Sequence, residues 1–166
     1  MGQSNILLGP RKDFSYPVKT ANGAALAEYR WTEQRQNKMQ PSWKLAYTGS
    51  VGGQALVGIP HLYRLRYTLP LLAEASQIWP FETGFSWPLA LESPPLLVLA
   101  EIYPSIVDRP RLDPIPDREQ VIAYHGWLQS QQANGELASY LGPPQGLSET
   151  ALADCVAEEG WVLGVR

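Results

Sequence analysis

A chain of 166 residues that is 45% hydrophobic and only 17% charged suits one globular domain and excludes a disordered tail. Its formal net charge of -3 disfavours tight, sequence-independent nucleic-acid binding. A single cysteine, Cys155, excludes an internal disulfide and a cysteine-based metal site.

Residues 1–22 contain "GP" and "YP" and no periodic pattern, and read as an irregular arm. The opening "MGQSNILLGPRKDF" has no apolar signal-peptide core, and no run approaches the roughly 18 apolar residues of a membrane span. A cytoplasmic protein with no membrane partner is therefore expected. Residues 23–166 read as a single α/β domain. Fifteen prolines force many breaks, so its elements should be short.

The first helix is predicted from Asn22 or Gly23 to Lys38, with Leu26, Arg30 and Glu33 on one face. "WKLAY" reads as a short strand. Ser50 is placed to cap a helix over 51–58. Pro60 then suits the first turn of a second helix, in which Leu62, Leu65 and Leu69 stand at helical spacing. The glycines of "GSVGGQALVG" lack both the dinucleotide-loop spacing and the P-loop lysine. Close helix packing explains them better than anion binding does.

"QIWPFETG" predicts a short strand ending at Pro80. "LLVLAEIY" predicts the main strand, nearly all apolar and so covered on both faces. "PDREQVIAYHGWLQSQQ" predicts the main helix, with Val121, Tyr124, His125 and Leu128 on its packed face and Asp117 and Gln120 spaced as an N-cap and its N3 partner. Ser148 is a good N-cap for a last helix, flanked by Leu147 and Leu152 at the staple positions. Gly160 stands just past its end, and "WVLGV" closes as an extended piece.

Glu101 is the one polar break in the apolar main strand. In open α/β sheets the ligand crevice lies beyond the strand C-termini. There Glu101, Asp117 and a third carboxylate, Glu82, have the oxygen chemistry that Mg²⁺ prefers. The plainer readings are helix capping for Asp117 and pairing with Arg64 or Arg66 for Glu82.

Five ordered blocks, "WKLAYTGSVGGQALVGIPHLYRLR", "IWPFETGF", "LAEIYPSIV", "DREQVIAYHGW" and "AEEGWVLGV", resemble a bacterial family of predicted nucleases with a ribonuclease-H-like fold. Some of its members carry a label linking them to molybdopterin-guanine-dinucleotide synthesis. The resemblance runs from about Glu28 onward. It implies a carboxylate site with Mg²⁺ or Mn²⁺, in which Glu101 and Asp117 are ligands and catalytic residues. The family begins with a "G-x-D-x-P" strand that residues 1–25 do not contain; Asp13 follows no apolar strand. The expected fold is thus a partial ribonuclease-H-like domain, a short central sheet packed with helices and lacking the family's N-terminal strands. Self-association, or a second polypeptide that completes the sheet, is the expected partnership.

Two functions follow. One is metal-dependent phosphodiester hydrolysis, weak or absent in the isolated chain. The other is a non-enzymatic binding or assembly module, linked to molybdopterin cofactor synthesis, whose tryptophans and Arg30, Arg64 and Arg66 line a partner surface.

Overall fold

The computed structural model describes residues 18–19, 25–45, 50–86, 97–110 and 113–166. They fall into two compact units that divide between Glu74 and Ala75. Helices and short strands alternate, so the protein is mixed α/β.

In the first unit, β1 (Val18–Lys19) pairs antiparallel with β2 (Ala25–Leu26). The part of the N-terminal arm that is described is thus strand, and Leu26 is strand rather than helix. The helix expected from residue 22 to Lys38 is only α1 (Trp31–Arg35). Glu33 explains its short span. One carboxylate oxygen accepts the Arg30 backbone N–H (2.9 Å), and the other accepts Arg30 Nε–H (2.7 Å) and the Ser42 N–H (2.9 Å). Those bonds fix the helix start at Arg30 and satisfy a side chain that is otherwise buried. Thr32, Met39 and Pro41 are buried with it, and Trp43 Nε1–H donates to the Glu28 carbonyl (2.9 Å). No strand forms at Trp43–Leu45; the rest of "WKLAY" lies outside the described residues.

The two helices expected around Pro60 are one, α2 (Gly52–Thr68). Proline removes a single N–H, and its fixed φ is itself helical, so a long helix can run through it with one bond lost. Ser50 is not the cap: Val51 is, without a side-chain bond, and the Gly52 N–H is satisfied by the Lys44 carbonyl (2.8 Å). A Cβ on Gly52 would meet that oxygen at 2.7 Å, so this glycine of "SVGG" serves close packing. α3 (Pro70–Ala75) follows, unforeseen in the sequence. Arg66 Nη1–H donates to the Ala73 carbonyl (2.7 Å), tying α2 to α3.

The second unit holds the parallel ladders. β3 (Ser76–Ile78) pairs with β4 (Leu97–Leu99), Gln77 opposite Val98, and the Trp79 N–H extends the ladder to the Leu99 carbonyl (2.9 Å). β5 (Glu101–Ile102) pairs in parallel with β6 (Val162–Leu163), Glu101 opposite Val162. Only Ala100 separates β4 from β5, so one extended stretch, 97–102, carries both ladders. Contrary to the expectation of a strand covered on both faces, no residue of 97–102 is buried; Leu97 and Ile102 are each 43% exposed. An apolar run signals affinity for a cover but does not supply one. The fully covered strand is β6.

The core of this unit is aromatic. Trp79 and Trp161 are each 1% exposed, and Phe85 stands edge-on to both, with ring centroids 5.6 and 6.3 Å away. Their indole N–H groups donate to the carbonyls of Leu141 and Val165 (3.1 Å each). α4 (Pro116–Ala133) presents Tyr124 to this core, and its hydroxyl donates to the Leu163 carbonyl (2.6 Å). Burial pushes the Tyr124 phenol well above its ordinary pKa. Val121 and His125, expected on the packed face, are exposed. The large rings decide the orientation: Trp127 lies 5.2 Å from Tyr124 and 5.0 Å from Tyr140 on α5 (Leu137–Leu141). Ser148 caps α6 (Glu149–Asp154) as expected, its Oγ accepting the Ala151 N–H (3.2 Å). A π-turn over Cys155–Glu159 follows, closed by the Gly160 N–H on the Cys155 carbonyl (2.9 Å).

Candidate functional site

Glu101 sits on β5, at the C-terminal end of the 97–102 stretch, and is exposed. Its carboxylate therefore carries no full burial cost. Beyond β5 the chain makes a 3₁₀ turn (Pro104–Ile106), against which α4 packs; Gln120 Nε2–H donates to Ser105 Oγ (3.1 Å). The turn that follows β5 is thus tied to α4.

Asp117 is not the N-cap of α4. Ile115 is, with Pro116 at N1 and Asp117 at N2, exposed in the first turn where a negative charge suits the helix dipole. Asp113 makes an Asx turn just before the helix, its Oδ1 accepting the Ile115 N–H (2.7 Å). Asp113 also takes both N–H groups of Arg118, at 2.8 and 2.9 Å. Glu119, 7% exposed, accepts from Arg109 Nη1–H (2.8 Å) and from the Asp113 N–H (3.3 Å). Two carboxylate–guanidinium pairs therefore tie Arg109 and Asp113 to the start of α4. Sequence reasoning missed this clamp. The Asp113–Arg118 spacing offered a signal, whereas Arg109 and Glu119 stand ten positions apart across a proline-rich loop.

The Arg118 guanidinium, and next the Ile115 N–H, hold the Asp113 carboxyl below its ordinary pKa. A depressed folded value means that the clamp adds stability above the unfolded pKa and loses it as pH falls through the folded one. Asp113→Asn should therefore flatten the acid limb: the stability lost between about pH 5 and pH 3 in urea titrations should shrink relative to wild type. An unchanged acid limb would refute the assignment.

The other expected site residues are Glu82, Arg64 and Arg66. Glu82, exposed in the turn after β3, accepts the Ile78 N–H (2.7 Å) and so does local structural work. Arg64 is exposed on α2 and borders a shallow groove with His61, Leu65, Thr68 and Leu69. Arg66 lies over the Tyr67 ring at 5.0 Å. A two-metal clamp needs more oxygen ligands than Glu101 and Asp117 alone supply. Among the described residues no three His, Cys, Asp or Glu side chains gather to hold an ion. Glu101 and Asp117, both exposed carboxylates, are the residues that would hold Mg²⁺ or Mn²⁺.

The fold is that of a mixed α/β protein, with Glu101 exposed on a strand and Asp117 exposed in the first turn of α4. No family model, no curated protein and no solved structure matches the chain. Among the described residues no helix is long and apolar enough to cross a membrane.

Proposed function

We propose that this protein is a non-enzymatic assembly module of ribonuclease-H-like descent. In this reading Glu101 and Asp117 remain from a ligand set that no longer supports efficient phosphodiester hydrolysis. The observation that carries the proposal is α2. Leu56, Val57, Ile59, Leu62, Tyr63 and Leu65 are 43–65% exposed on consecutive turns. A helix that is apolar all round is normally covered, and large exposed apolar surfaces mark interaction sites.

Light scattering and sedimentation of the purified chain test the reading. Association is expected at micromolar concentration, and Leu62→Glu, which sets a charge into the exposed helix without touching either core, should weaken it roughly tenfold. Incubation with single-stranded DNA, duplex DNA, RNA and an RNA–DNA hybrid in Mg²⁺ or Mn²⁺ should give no cleavage above that of Glu101→Gln. A stable wild-type monomer, or cleavage abolished by Glu101→Gln, would overturn the proposal.

A further inference from the structure

We infer that the partner is a second copy of this chain, bound reciprocally, with α2 of each copy seated on the exposed face of α4 of the other. The inference rests on the assembly reading above and goes further by naming the occupant and the contact. Charge is the first argument. α2 contains Arg64 and Arg66 and no acidic residue. Without those two arginines the remainder of the chain has 11 Lys and Arg (13 less 2) against 16 Asp and Glu, a net of -5. A basic apolar helix on an otherwise acidic chain matches that chain's own acidic surface.

The start of α4 supplies that surface in detail. Ile115, Val121 and Ile122 are each more than half exposed. In the same first turns Arg118 is occupied by Asp113, and Glu119 by Arg109. Among the described residues Asp117 is therefore the carboxylate of this turn with no guanidinium of its own, and it is flanked by apolar side chains. Arg64, exposed among apolar neighbours on α2, has the matching chemistry. Both halves of the pair are carried by one sequence. Two copies therefore have the chemistry to satisfy each other at two equivalent contacts.

Charge reversal across two separately purified chains tests this. Arg64→Glu alone sets a carboxylate against Asp117 at both contacts of a dimer; Asp117→Lys alone sets an ammonium against Arg64 at both. Each variant, with its circular dichroism unchanged, should associate about tenfold more weakly than wild type in sedimentation velocity. In an equimolar mixture of the two, one contact of the heterodimer joins the introduced carboxylate to the introduced ammonium. The other contact keeps Arg64 facing Asp117. The mixture should therefore recover wild-type association as a heterodimer. Failure of the mixture to recover overturns the inference, as does rescue confined to chains that carry both changes. Association that responds to Leu62→Glu but ignores both charge reversals overturns the inference while sparing the assembly reading. A wild-type monomer overturns both.

Discussion

Trp161→Ala is expected to destabilise the C-terminal unit by about 3–5 kcal/mol, the usual cost of emptying a buried tryptophan site. The indole is 1% exposed, meets Phe85 edge-on and donates to the Val165 carbonyl at 3.1 Å. Removing it opens a cavity beside β6, the fully covered strand of the unit, and it leaves that carbonyl without its donor. Since domains of this size are stable by about 5–15 kcal/mol, roughly a fifth or more of the total is at stake. Trp161→Phe separates the two contributions, because it keeps most of the packing and loses only the N–H, for roughly 1–2 kcal/mol. Urea unfolding followed by circular dichroism measures both. A shift below about 0.5 kcal/mol for Trp161→Ala, the range of an ordinary surface change, would show that this ring does not hold the core.

Gly164→Ala is expected to be the second most damaging single change. Gly164 has φ +97°, outside the range that residues with a Cβ adopt comfortably, at a strain of about 1–3 kcal/mol. The added Cβ would also stand 2.5 Å from Ile106 Cδ1 and 3.0 Å from Trp127 Cη2. The Ile106 terminus can swing away; the Trp127 ring, wedged between Tyr124 and Tyr140, cannot. Overpacking therefore adds roughly 1–3 kcal/mol. Gly135→Ala is the matched control, with φ +73° and nothing within 4 Å of the new carbon, so it reports strain alone. The difference between the two variants in thermal or urea unfolding should equal the overpacking cost. Equal losses would mean that Ile106 and Trp127 make room freely.

What the sequence disclosed depended on how local the determining interaction is. α4, the Ser148 cap and the β3, β5 and β6 positions rest on neighbours within a few residues, and they were legible. The burial of the 97–102 stretch was not, because an apolar run cannot show whether another element lies over it. On α4 the packed face was read correctly at Tyr124 and wrongly at Val121 and His125, because Trp127 beside Tyr124 has more surface to hide than either. The continuity of α2 was obscured by treating Pro60 as a stop, when a long helix can continue through a proline despite the lost bond and the ring clash. At the candidate site, the residue types and the strand-end position of Glu101 were readable. The Arg109–Glu119 pair was not, since it depends on how a loop returns to a helix.

The pairing of β5 with β6 has a kinetic consequence. Glu101 and Val162 are about 60 positions apart, whereas β3 and β4 meet across about 20. Closing the longer loop costs more chain entropy, and nothing rewards that cost until the final contact is made. α4 and α6 can form from local bonds on a microsecond scale. The nascent chain must therefore wait with its aromatic core half assembled until Trp161 arrives. The Trp161 ring both completes that core and delivers the strand beside it, so its docking is expected late in folding.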